Sequence, residues 1–151
     1  MISDKLGQSL KDEFLSICKK DICRDGIEEL LGWVEESDFF YAPASTRFHG
    51  NYASGLLEHS MKVYEIFKEK VKNSGLDVPE DTIKIVALLH DICKTNFYKV
   101  DYRNAKNAKG EWERVPYYTV EDTIPYGHGE KSVMMITEYI KLTNEEKYAI
   151  R

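Results

Sequence analysis

Ile83-Lys84-Ile85-Val86-Ala87-Leu88-Leu89-His90-Asp91-Ile92-Cys93-Lys94 is the stretch from which the rest of the chain can be read. Apolar residues take nearly every helical position in it rather than one stripe, which marks a helix surrounded by protein. Into this run the sequence sets a histidine beside a carboxylate. A buried ionised carboxylate is costly unless it is paired or bound to a metal. Lys94 offers one partner, because a residue three places on can pair with Asp91 at the helix end. A divalent cation is the other, since imidazole nitrogen and carboxylate oxygen together suit a first-row metal. Adjacent helical residues point about 100° apart, and an ion placed between the two directions is within reach of both. From pattern alone the two explanations stand level.

Working outward, Asp77 and Glu80 have the spacing of a capping box ahead of this helix, with Pro79 tolerated in its first turn. Before them a helix is predicted from about Ala53 to Lys72, carrying Leu56, Leu57, Met61, Val63, Tyr64 and Phe67, with Gly75 as its stop. An irregular aromatic stretch, 37–50, precedes that helix, because Pro43 and Gly50 argue against regular structure there. Its Phe39, Phe40 and Tyr41 could stack on a base, but a small satellite core is the preferred reading. Earlier still, Asp25 and Glu28 have capping-box spacing for a helix ending near Glu36. A first helix, about Lys5 to Lys20, repeats apolar residues at three- and four-residue intervals.

After Lys94 the character changes. Aromatic and β-branched residues at 97–103 and 112–120 flank a Gly-containing turn at 107–110, the pattern of a β-hairpin. Pro116 would put its strand at an edge. A fifth helix is expected from about Gly129 to Leu142. Thr143 and Glu146 have capping-box spacing for a sixth, and the sequence stops at Arg151, about two turns later. Two turns hold little by themselves. The expectation is therefore a chain cut within an element, or an end supported by a partner or by the rest of the fold.

With no repeat, low-complexity tract or linker, residues 1–151 read as one domain, incomplete at its C-terminus. A net charge of −5 gives no support to an extended nucleic-acid surface, but a small phosphorylated substrate needs only a few local cations or a metal. Three cysteines without CxxC spacing argue against a disulfide framework and for a reducing cytoplasm. The N-terminal MISDKLGQSLKDEF carries charges where a secretory leader needs an apolar run. No stretch approaches the roughly 18 to 20 apolar residues of a membrane span. Self-association is left open.

All four histidines fall between positions 49 and 128. His59, in Gly55-Leu56-Leu57-Glu58-His59-Ser60, would taken alone be a core histidine with a hydrogen-bond partner. From a helix packed alongside, it would instead supply a third metal ligand to His90 and Asp91. Together, Gly55-Leu56-Leu57-Glu58-His59-Ser60 and, 31 residues from His59 to His90, Leu88-Leu89-His90-Asp91-Ile92-Cys93-Lys94 resemble the HD-domain superfamily of metal-dependent phosphohydrolases. The match in order and helical setting covers about residues 45–140. The resemblance implies an all-α helical bundle, here with a β-hairpin insertion at about 97–120. It implies hydrolysis of a phosphomonoester or phosphodiester in a nucleotide or short oligonucleotide by metal-activated water.

The same resemblance assigns a divalent metal (Mn, Fe, Mg, Co, Ni or Zn) to His59, His90 and Asp91. It also gives Asp91 a catalytic part and makes Lys94 a contact for substrate phosphate. His128, between two glycines at the start of the fifth helix, matches the extra histidine by which some members hold a second ion. A second-metal ligand or a phosphate contact is the preferred reading, with an ordinary exposed turn residue as the alternative. Arg47 and His49 match the approach to the first ligand in the exoribonuclease-like branch, where they would bind phosphate; a plain polar loop is nearly as good an explanation.

The family's pattern closes with an Asp on a later helix, and Glu138, Glu145 and Glu146 do not stand in that context. That departure keeps a second class open: a degenerate HD module that binds a nucleotide or protein partner without turnover. A helical interaction domain without metal requires both motifs to be coincidences.

Overall fold

The computed structural model describes residues 4–151; the first three residues of the N-terminal stretch read above lie outside it. Its elements follow in the order α1 (Asp4–Asp21), α2 (Ile27–Glu36), α3 (Gly55–Ser74), α4 (Glu80–Leu89), a single 3₁₀ turn (Ile92–Lys94), β1 (Tyr98–Lys106), β2 (Trp112–Val120), α5 (His128–Thr137) and α6 (Asn144–Ile150). The fold is mostly helical. The hairpin makes the expected all-α class approximate.

Helix α4 is the centre, as its composition requires. Ile83 through Leu89 are buried without interruption. Even Lys84 is buried to its tip, where Nζ meets Glu80 (2.6 Å) and Asp21 (3.7 Å). Against α4 lies α3, whose buried Leu57, Met61 and Tyr64 recur at helical spacing on one face. Phe14 and Cys18 of α1, and Leu30, Leu31 and Val34 of α2, join the same hydrophobic cluster. Phe39 and Phe40 belong to it too, with ring centroids 5.2 and 5.6 Å from that of Phe14. These two are therefore part of the main core rather than of a separate satellite, and Tyr41 is exposed.

Two expected capping boxes do not form. Helix α2 starts behind Gly26, not Asp25, with no side-chain cap. The reason is tertiary: a Cβ on Gly26 would lie 1.9 Å from the Tyr139 carbonyl oxygen, and its φ of +89° favours glycine. Helix α4 is capped by Pro79 without a side-chain bond, its carbonyl accepting from Ile83 N (3.2 Å). Helix α5 ends at Thr137 rather than Leu142. There the Thr137 hydroxyl bonds back to the Val133 (2.8 Å) and Met134 (3.0 Å) carbonyls, a contact that competes with helix continuation.

The third box does form: Thr143 and Glu146 cap each other at the start of α6. Glu146, fully buried, also receives both terminal nitrogens of Arg24 (2.7 and 2.6 Å) and the Thr82 hydroxyl (2.7 Å). Among the expected supports for this short helix, the rest of the fold provides one. Burial alone would raise the Glu146 pKa, but these donors and the Thr143 N–H outweigh it and lower the value to about 2.

Strands β1 and β2 pair antiparallel from Tyr98↔Val120 to Lys106↔Trp112. In a two-stranded ribbon every strand is an edge, which is how Pro116 is accommodated. Most hairpin residues are exposed.

Candidate metal centre

Helix α4 stops one residue short of the His-Asp pair, a departure from the continuous helix expected through Ile92. His90 keeps helical angles, but Asp91 takes φ −106° and ψ 17° before the 3₁₀ turn begins. This is the sparsely populated bridge region in which many active-site residues sit. The unwinding lets the Asp91 carboxylate join the His90 ring instead of pointing about 100° away.

On α3, His59 sits at the margin of the buried face, toward α4. Its position is set by an unusually close contact between the helix start and the preceding loop. A Cβ on Gly55 would lie 2.1 Å from the Gly50 carbonyl oxygen. Ala44 N donates to that carbonyl (2.8 Å) and Leu56 N to Ala42 O (3.0 Å). The loop is thereby folded over α3, and the His49 ring comes within 4.8 Å of the His59 ring, centroid to centroid.

His59 Nε2, His90 Nε2 and Asp91 Oδ2 form a near-equilateral triangle with edges of 3.3, 3.3 and 3.4 Å. Ligands about 2.0–2.1 Å from one tetrahedral ion stand roughly 3.3–3.4 Å apart, so the triangle has the size a first-row divalent ion requires. The His90 orientation also suits a metal. Nδ1–H donates to the Ala87 carbonyl (2.8 Å), one of the carbonyls that the helix end leaves free, so Nε2 is the nitrogen on which a metal would take the place of a proton. The three side chains are only partly buried, 13–24% exposed, so solvent and a substrate can reach them.

Lys94 Nζ stands 2.9 Å from the same Asp91 oxygen. Burial would raise the Asp91 pKa, but hydrogen bonds from both histidines, the His90 charge and Lys94 outweigh it and hold the carboxyl well below its usual range. Burial works against a proton on His90 as well; the Asp91 carboxylate and the Ala87 carbonyl reverse that and raise its pKa. Lys94 is thus an ion-pair partner of Asp91 and places a cation at the rim of the cluster.

The remaining candidates lie around this cluster. Among the described residues the three-ligand group contains no further His, Cys, Asp or Glu. His128 is exposed at the start of α5, with Nδ1 3.4 Å from the Cys93 sulfur and its ring against Phe97. Arg47 and His49 are exposed on the loop before α3. Arg47 lines a polar cleft of about 770 Å³ together with Arg103 and Tyr117 of the hairpin. His49, Tyr52, Glu58 and Lys62 surround a cavity of about 300 Å³ next to His59, the lower end of the range for small-molecule sites.

A family model described as HD domain matches residues 56–150, more than half of the chain. The chain belongs to the HD-domain family. No curated protein and no solved structure matches it. HD-domain proteins are generally metal-dependent hydrolases, and the His59–His90–Asp91 cluster fits an HD-type metal site. Glu146, one of the carboxylates weighed for the closing HD ligand, is committed to Arg24, while Glu138 and Glu145 are exposed.

Two neighbours of the HD cluster escaped sequence reading. Tyr52 donates its hydroxyl to Glu58, the residue before His59, and that bond raises the tyrosine pKa. Tyr98 donates to the Ala44 carbonyl (3.1 Å), and burial, with Asp91 and Cys93 nearby, pushes its pKa up to about 12. Only the six-residue spacing of Tyr52 and Glu58 hinted at the first contact; nothing local signals the second.

Proposed function

We propose that the chain is a metal-dependent phosphohydrolase that cleaves a phosphomonoester or phosphodiester bond in a nucleotide or short oligonucleotide. The observation that carries this reading is the triangle of His59, His90 and Asp91 donors with the Lys94 ammonium beside it. A divalent ion held there supplies Lewis acidity toward phosphoryl oxygen and makes water a nucleophile near neutral pH. His59 and His90 would hold the ion through Nε2. Asp91, kept ionised by its surroundings, would supply the third ligand atom and accept a hydrogen bond that orients the attacking water. Lys94 places a fixed cation where negative charge grows in the transition state. Arg47 and His49, on the loop over α3, meet further substrate phosphate. His128 is assigned a second ion or a phosphate contact from the α5 side.

A second reading, an HD module that binds without turnover, is favoured by one observation: the cluster among the described residues has three ligands and no closing carboxylate. Turnover of a chromogenic phosphodiester with added Mn²⁺ separates the two. Release that is abolished by EDTA and by Asp91→Asn supports the hydrolase; a metal-loaded protein with no release supports the binding module. For the compartment, the three free thiols support a reducing cytoplasm. Among the described residues no helix is long and apolar enough to cross a membrane.

A further inference from the structure

The hairpin is not explained by the metal centre. In its register, Tyr98, Tyr102, Trp112 and Tyr118 share one face with Lys106 and Arg114. The other residues of that face are valine, proline and asparagine, so it carries no carboxylate; Asp101 and Glu113 lie on the opposite face. Arg114 stands over the Tyr102 ring (5.1 Å to the centroid) and Lys106 over Trp112 (5.3 Å). Nearer the base, the Tyr98 and Tyr118 rings are 6.5 Å apart. Such pairs steady a ribbon that would be marginal alone. They do not require its rings to stay bare, yet Trp112 is 70% and Tyr102 52% exposed.

The charge is local as well. Residues 98–120 hold five cations against three carboxylates, in a chain whose net charge is −5. Nine residues per strand at about 3.3 Å each make the stripe roughly 26–30 Å long. Its base adjoins the metal centre, because Tyr98 follows Lys94 directly through the turn 95–97. Beside that base, Arg47 and Arg103 line the polar cleft.

We propose that this hairpin face is a platform for single-stranded nucleic acid, on which bases stack against Tyr102 and Trp112 while Lys106 and Arg114 meet the phosphates. Aromatic rings interleaved with cations are what a single strand uses without sequence preference. A mononucleotide would occupy only the base of such a stripe, so the substrate class becomes the end of a single strand. Delivery of that end to His59, His90 and Asp91 rests on the phosphohydrolase reading; the binding itself does not.

The test is fluorescence anisotropy of labelled single strands of about twelve nucleotides, RNA and DNA in separate arms, with EDTA present. Saturable binding of either is expected, and the tighter arm names the sugar. Tyr102→Ala and Trp112→Ala should each weaken it roughly tenfold or more, and Trp112→Phe should restore it. Lys106→Gln with Arg114→Gln should flatten the slope of log affinity against log salt by about 1.4. Absence of saturable binding to both strands, or alanine variants that bind like the parent, would overturn the proposal. So would an unchanged salt slope in the glutamine pair, which also decides the matter if an alanine variant fails to fold. A chain that binds strands but cleaves no phosphodiester leaves this proposal standing and removes only the hydrolase reading.

Discussion

Asp91 is the residue on which the chemistry converges. Its Oδ2 lies within 3.4 Å of His59, His90 and Lys94. Four groups share one small region, and their chemistry sorts the roles: two imidazoles that present Nε2 to the cluster, one carboxylate held ionised, one ammonium that cannot ligate. Lys94 is therefore expected to act on the phosphate rather than on the ion. Lys94→Gln should lower kcat for a phosphodiester by about a hundredfold, the usual scale for losing one transition-state donor. Metal content of the variant should equal or exceed that of the parent, since a competing cation has left Asp91. A variant that loses metal as well as rate would make Lys94 a structural support of the cluster instead.

At the scale of elements, α6 is the informative case. Seven residues are too few to hold a helix in water, and Arg24 compensates by reaching the buried Glu146 from the other end of the chain. Arg24 keeps Asp81 (3.0 Å) as a partner when Glu146 is removed, so Glu146→Ala should lower chemical stability by about 2–3 kcal/mol, less than for a buried charge left unpaired. The pH dependence has a definite sign. The carboxyl falls from an ordinary value of 4.5 to about 2 on folding. Its contribution is thus complete above about pH 4.5 and is lost as pH drops toward 2. Urea midpoints measured across this range should fall more steeply for the parent than for Glu146→Gln.

The same helix shows where sequence reading succeeds. The Thr143–Glu146 box is a local contact between residues three apart, and it forms as spaced. The boxes at Asp25 and Asp77 are equally local on paper. They fail because the Tyr139 carbonyl beside Gly26, and the fixed φ of Pro79, decide those helix starts first. Helix periodicity located α1, α3 and α4 to within a few residues for a similar reason, as their buried faces repeat along the chain itself. The Arg24–Glu146 bridge joins residues too distant for any pattern to connect.

On the scale of the whole molecule, the His59–His90–Asp91 cluster was legible because each half is a short motif, Leu56-Leu57-Glu58-His59 on α3 and Leu89-His90-Asp91 at the end of α4, and these helices pack side by side. What the motifs do not contain is the unwinding at Asp91, the Gly50–Gly55 contact that brings His49 over His59, or the exposed stripe running from the tip of the hairpin to the cluster. The net charge of −5 even obscures that stripe, because its cations are gathered on one small ribbon. The proposed hydrolysis requires first of all that the cluster hold an ion. Metal analysis of protein purified without chelator, compared with His90→Ala prepared alongside, tests that requirement most directly. A divalent metal bound in near-stoichiometric amount by the parent and missing from His90→Ala is the expected result; equally little metal in both, with the variant folded, would contradict it.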